Sequence, residues 1–194
     1  MVKLTGNEKV NIAVFISGTG SNLKNLISHS LKKKSKFRIS LIISNNPKAK
    51  GLNFANKYKI KKTVINYKKF DNAEKTILKK LKKNNIDLVC LAGFMKILSA
   101  NLIKKFNGKI INIHPSLLPK YKGLNTHERA MKNNEKFCGC TVHYVNSKLD
   151  SGKIIIQKKI RIFKNDNIEK IKKKVLKQEH QIYPKAISKV IINL

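Results

Sequence analysis

Short apolar runs alternate with stretches of helical spacing along this chain, and that alternation constrains the fold more than any other feature. VNIAVFIS, residues 10–17, is short, β-branched and closed by Gly18, the pattern of a strand buried on both faces. After GTGSN a helix-like stretch runs to about Lys33, and FRISLIIS, 37–44, reads as a second strand ending in the turn-rich NNPKAKG. A helix around Leu52 to Tyr58 leads to a short strand, KTVIN. The spacing of Ile77, Leu78 and Leu81 then predicts a helix from Asp71 to Asn84. IDLVCLAGF and KIINIH supply two more buried strands. CGCTVHYVN and KIIIQKKIRI flank the turn-like SKLDSG, so they read as an antiparallel hairpin at one side of the sheet. A long helix from Asn167 to Asn193, broken or bent near Pro184, completes the chain. The order implies an α/β fold: an open, mostly parallel sheet flanked by helices, with an antiparallel C-terminal hairpin. Ligands of such sheets collect at the carboxyl ends of the strands.

A length of 194 residues favours one domain with a substantial core. No apolar run reaches membrane-span length, and Met1 to Asn11 lacks the apolar stretch of a signal peptide, so a cytoplasmic protein without a membrane partner is expected. Cys90, Cys138 and Cys140 are an odd number without CxxC spacing, which argues against zinc; Cys90 reads as a small buried hydrophobe. The net charge of +33, from 43 Lys+Arg against 10 Asp+Glu, suggests nucleic acid at first sight. Its distribution argues otherwise. Arg38, Arg129 and Arg161 are the only arginines, and lysine is spread along the whole chain among Asn and Ile, whereas base readout and bidentate phosphate contacts favour clustered arginine. No specific nucleic-acid partner is expected, only salt-sensitive adsorption.

Two segments carry candidate chemistry. SGTGSN, 17–22, joins the first strand to a helix, where free backbone N–H groups and the helix dipole favour an anion and glycines let a phosphate approach. Leu23 stands where a dinucleotide fingerprint needs its third glycine, and Ser44, Asn45 and Asn46 supply no acid at the end of the second strand. A single phosphate fits better than a dinucleotide, and a ligand-free βα turn is the alternative. In IINIHPSLLP, Asn112 and His114 are two residues apart in a strand and project from one face at its carboxyl end. An asparagine amide can donate to an oxyanion and a histidine can shuttle a proton at neutral pH. Asp150, in the hairpin turn, could hold His114 and raise its proton affinity; the competing reading is a turn former before Ser-Gly. No serine or cysteine has a nucleophile's context, so direct attack of one substrate on another is the natural chemistry.

SGTGSN, AGFMKILS, NIHPSLLPKYKG, TVHYV, LDSG and QEHQIYP, in that order from about Asn11 to Val190, resemble the phosphoribosylglycinamide formyltransferase family of the formyltransferase superfamily. The resemblance implies a Rossmann-like fold and one formyltransferase domain over 1–194, with phosphate bound by the N-terminal half and folate binding and catalysis in the C-terminal half. It implies catalysis by Asn112, His114 and Asp150. Substrate phosphate would lie on Thr19, Gly20, Ser21 and Asn22, and the substrate amine near Glu179. The co-substrate, 10-formyltetrahydrofolate, would lie along Met95, Lys96, Ile97, Leu98 and Asn112 and the Val145 to Asp150 loop, with no metal. From the residues alone, Glu179 is most simply an i,i+4 partner on a lysine-rich helix. The implied reaction moves a formyl group to 5-phosphoribosylglycinamide in purine biosynthesis. Formyltetrahydrofolate hydrolase and methionyl-tRNA formyltransferase are the nearest alternatives, though each is expected to need an additional domain; a basic nucleic-acid-binding module is a more distant one. Three departures from the family's pattern, Ala73, Lys96 and Asn125, bear on folate affinity more than on the proposed catalytic residues.

Overall fold

The computed structural model describes residues 9–67 and 70–194; residues 1–8, part of the segment read for a signal peptide, lie outside it. Seven strands form one sheet in the order β3-β2-β1-β4-β5-β6-β7. They are β1 Val10–Ile16, β2 Phe37–Ser44, β3 Lys61–Val64, β4 Leu88–Leu91, β5 Lys109–His114, β6 Phe137–Tyr144 and β7 Ile154–Arg161. β1 to β5 pair in parallel, and β6 and β7 close one side antiparallel, as the hairpin reading expected. The helices are α1 Ser21–Ser30, α2 Leu52–Lys57, α3 Phe70–Lys83, α4 Ala100–Lys105, α5 Thr126–Lys132 and α6 Ile168–Ile191.

The alternation of side chains along each central strand divides the core in two. Ile12, Val14 and Ile16 of β1 pack with Leu23, Ile27 and the Val175, Ile182 and Ile187 face of α6. Ala13 and Phe15 point to the opposite layer, with Ile77 and Leu81 of α3 and Leu102 of α4. β1 has β2 on one side and β4 on the other, so the chain's winding reverses there. The reversal leaves a crevice beyond the carboxyl ends of β1, β4 and β5, where the loops of interest emerge.

Several boundaries differ from the sequence reading. α1 stops at Ser30, not Lys33, because Ile27 and Ser30 are its last buried positions and the following lysines face solvent. β4 is confined to Leu88–Leu91, since Gly93 has φ 73° and turns the chain away from the sheet. β3 begins one residue earlier than KTVIN and ends at Val64, where its pairing with Ser44 of β2 stops. α6 is not broken at Pro184 but runs through it. Proline removes the hydrogen bond that would reach the carbonyl four residues back, that of His180, and Asn25 Nδ2 of α1 supplies the missing donor at 2.7 Å.

Candidate active site

A cavity of about 670 Å³ occupies the crevice, and the candidate residues come to it from five separate segments. Asn112 and His114 enter from the end of β5, Met95 to Leu98 from the loop after β4, and Val145 to Asp150 from the β6–β7 connection. Asn22 comes from the first turn of α1 and Glu179 from the middle of α6.

The Asn112, His114 and Asp150 side chains meet. Asp150 Oδ2 lies 3.4 Å from His114 Nδ1, and Asn112 Nδ2 donates to Asp150 Oδ1 at 3.4 Å. The Gly123 N–H donates to Asp150 Oδ2 at 2.9 Å, which ties the hairpin loop to the segment after β5. Asp150 has φ 44°, a left-handed conformation that aspartate and asparagine tolerate better than most residues. Gly152 is required in this turn, since a Cβ there would stand 1.7 Å from the Tyr144 carbonyl oxygen.

His114 Nε2 donates to the Tyr121 carbonyl at 2.9 Å, so in the neutral ring Nδ1 is bare and faces the Asp150 carboxylate. Both ring nitrogens thus face acceptors, an arrangement matched to the imidazolium. Burial nevertheless dominates and lowers the pKa of His114 below the usual histidine value; Tyr121 and Asp150 pull it back up, while His143 and Arg129 oppose them. Asp150 thus raises the proton affinity of His114, with the sign expected, while burial sets the net downward shift. For Asp150, burial acts upward, and the contacts with His143, Gly123 and His114 together outweigh it, holding the carboxyl below its usual range.

Sequence reasoning gave His143 no role. The antiparallel register sets it opposite Asn112, with Nε2 3.3 Å from Asn112 Nδ2 and 3.6 Å from Asp150 Oδ1. Its Nδ1 donates to the Tyr144 carbonyl at 2.8 Å, leaving Nε2 of the neutral ring to accept from the Asn112 amide. The available signal was a polar residue in an otherwise buried strand.

Glu179 is not an i,i+4 partner. It is 7% exposed, and its Oε2 accepts from Asn22 Nδ2 at 2.6 Å, while burial raises its pKa. The adjoining motif residues also fasten α6 in place, for the Tyr183 hydroxyl donates to the Leu91 carbonyl at 2.8 Å. Of the turn expected to hold phosphate, Asn22 lines the cavity; Thr19 is exposed, Ser21 half-buried and Gly20 buried outside the lining. Gly20 caps α1 with φ 75° and no side-chain cap, and a Cβ there would stand 2.7 Å from Gly51 Cα. Ser17 joins this turn to the loop after β4: its hydroxyl accepts from the Met95 N–H at 2.8 Å. Met95 and Ile97 are open to the cavity, Lys96 lies over the Tyr67 ring at 6.0 Å, and Leu98 is buried.

Of the three departures, Ala73 is packed in the α3 core and Asn125 holds a left-handed φ of 55° at the start of α5. Burial pushes the Cys138 thiol up to about 11 and that of Cys140 to about 12, so both are poor nucleophiles. Among the described residues no group of three or more His, Cys, Asp or Glu could hold a metal ion, and no helix is long and apolar enough to cross a membrane.

Residues 10–187 match the formyl transferase family profile. The chain is 43% identical to the phosphoribosylglycinamide formyltransferase of Haemophilus influenzae, an alignment covering 91% of this chain and 84% of that protein. The chain belongs to this family of enzymes. It is also 42% identical to the human trifunctional purine biosynthetic protein adenosine-3, over 94% of its own length but 18% of that protein's; the chain thus spans under a fifth of that longer relative. The crystal structure of phosphoribosylglycinamide formyltransferase from Anaplasma phagocytophilum superposes with a TM-score of 0.88 at 43% identity, covering 93% of this chain and 85% of that one. The family's Rossmann-like sheet is thus the fold observed here.

Proposed function

We propose that the protein transfers the formyl group of 10-formyltetrahydrofolate to the amine of 5-phosphoribosylglycinamide, by direct attack and without a covalent enzyme intermediate. The observation that carries this reading is the convergence of an amide donor, a histidine and a carboxylate in a cavity that is also lined by Glu179 and by Met95, Ile97 and Leu98. In this reading the phosphate sits on the Thr19, Gly20, Ser21 and Asn22 turn, and the folate lies along Met95 to Leu98 and the Val145 to Asp150 loop. Phosphate binding belongs to the N-terminal half of the formyltransferase domain, folate binding and the chemistry to the C-terminal half.

The amine arrives as an ammonium and must lose a proton before it attacks. Glu179 is suited to receive it, because burial makes its carboxylate more basic than usual. Attack forms the new C–N bond and drives the carbonyl electrons onto oxygen. Asn112 and protonated His114 donate to that oxyanion; the contacts of Asn112 Nδ2 with His143 and Asp150, at 3.3 and 3.4 Å, are long enough to yield to a stronger acceptor. The attacking nitrogen, cationic after bond formation, gives up its second proton to Asp150 through ordered water, and that proton passes to the folate nitrogen as collapse breaks its bond to the formyl carbon. Each oxyanion donor contributes about 3 kcal/mol to the rate, and fixing both substrates in attack geometry about 7 kcal/mol or more.

The test is to follow loss of 10-formyltetrahydrofolate by absorbance with and without phosphoribosylglycinamide. Deformylation that requires the amine supports the transferase. Equal loss in its absence would mark a hydrolase, and no loss under either condition would remove the proposal.

A further inference from the structure

His114 is held by a residue that is itself in a costly conformation. Tyr121, whose carbonyl accepts from His114 Nε2, has φ 56°, a region that a bulky non-glycine residue occupies only when its surroundings hold it there. Packing does not supply that hold on one side, because a second cavity of about 410 Å³ opens behind the 115–121 loop, lined in part by Tyr121, Lys120 and Glu135. The hold comes from the Tyr121 side chain. Its hydroxyl donates to Glu135 Oε1 at 2.8 Å and accepts from Asn133 Nδ2 at 3.0 Å, and the Arg129 guanidinium lies 5.2 Å from its ring centroid. Lys120 Nζ, 2.7 Å from the same Glu135 oxygen, fixes the carboxylate in turn.

We propose that Glu135, outside the candidate active site, is a positioning residue for His114: by anchoring the Tyr121 hydroxyl it fixes the Tyr121 carbonyl, which selects the Nε2–H tautomer. The inference rests on the reading of His114 as a donor to the oxyanion in formyl transfer. The competition it describes is on the ring itself. Tyr121 O and Asp150 Oδ2 are both acceptors, 2.9 and 3.4 Å from Nε2 and Nδ1, and the neutral imidazole has one proton to give. A charged carboxylate is the stronger acceptor, so the shorter, braced contact to Tyr121 is what keeps the proton on Nε2. If the brace is lost, the carbonyl drifts and the proton moves to Nδ1, toward Asp150. The other charged or titratable groups acting on this ring are His143 from β6, and Arg129 and His127 from α5.

The experiment is ring-nitrogen NMR of ¹⁵N-histidine-labelled, ligand-free protein, with the His114 signals assigned by His114→Asn. Wild type should show Nε2–H for His114. Glu135→Leu and Tyr121→Phe should shift the neutral form toward Nδ1–H and move the titration to lower pH, by on the order of half a pH unit, because protonated His114 loses a fixed acceptor. Glu135→Gln, which keeps an oxygen for the Tyr121 hydroxyl, should restore the wild-type spectrum. Thermal melting checks each fold, and Tyr121→Phe carries the test alone if Glu135→Leu does not fold. Unchanged tautomer and titration in folded Glu135→Leu or Tyr121→Phe protein would overturn the proposal. The readout needs no turnover: a protein inactive in formyl transfer but with the expected spectra would refute the assigned reaction and leave the brace standing.

Discussion

Asp150→Asn removes one charge and little else. Asparagine is isosteric and accepts the left-handed φ of 44° that this turn imposes, and its oxygen can still receive the Gly123 N–H. What disappears is the attraction between the carboxylate and protonated His114 at 3.4 Å. Opposite unit charges at that separation interact by about 1 kcal/mol in water and about 5 kcal/mol at an effective dielectric constant of 20. The two side chains are 7% and 8% exposed, so the loss falls between those limits. A value of about 3 kcal/mol corresponds to a fall in kcat of on the order of a hundred-fold. The pH dependence should move with it. Burial already lowers the pKa of His114, and deleting one of the two groups that raise it shifts the protonated form further down the pH scale. The rate limb that needs protonated His114 should therefore move to lower pH, while the dissociation constant for the folate stays near wild type. Steady-state kinetics across pH, with folate binding measured by fluorescence and the fold checked by thermal melting, provides the assay. A folded variant with wild-type kcat and an unmoved profile would refute the role of the charge.

Glu179→Gln should raise the melting temperature by about 2–4 °C, the effect of about 1 kcal/mol in a domain of this size, because it removes a buried charge. Its amide can also donate to Asn22 Oδ1, which lacks a partner among the described residues; calorimetry should show this gain together with a higher KM for phosphoribosylglycinamide. Gly18→Val should raise that KM far more than the KM for folate without a folding penalty, since a Cβ at Gly18 meets nothing within 4 Å. Gly20→Val should instead depress the melting temperature, because its φ of 75° and the 2.7 Å approach to Gly51 leave no room for a side chain. With a net charge of +33, kcat/KM for the anionic substrates should fall as salt is added, while nucleic-acid binding should be sequence-indifferent and lost at physiological salt; a salt-resistant, sequence-selective complex would contradict this.

The strands were legible where the chain concentrates β-branched residues, and FRISLIIS matches β2 in full. α4 and α5 escaped notice because neither presents a marked apolar stripe: Leu102 is the one buried side chain of α4, and α5 buries Thr126 and Ala130. Asn112 and His114 were visible as a pair because the two-residue period of a strand is a local property. Asp150 was visible as a candidate, but its contacts with both depend on how a hairpin loop returns to β5, which spacing along the chain does not encode. Glu179 and His143 required tertiary information: the first is buried only because α6 lies against α1, and the second meets Asn112 only through strand register. Pro184 misled for a related reason, since the donor that satisfies the freed carbonyl comes from Asn25, more than a hundred residues earlier.

Direct transfer between substrates is tested most directly with 10-formyltetrahydrofolate carrying ¹³C in the formyl carbon, mixed with enzyme in a single turnover and quenched for NMR and intact-protein mass spectrometry. The label should pass to the amine nitrogen of phosphoribosylglycinamide in one phase, with no formylated protein at any time and no label in formate. A formyl-enzyme that forms without the amine and is discharged by it, or label recovered as formate with the amine present, would contradict direct attack.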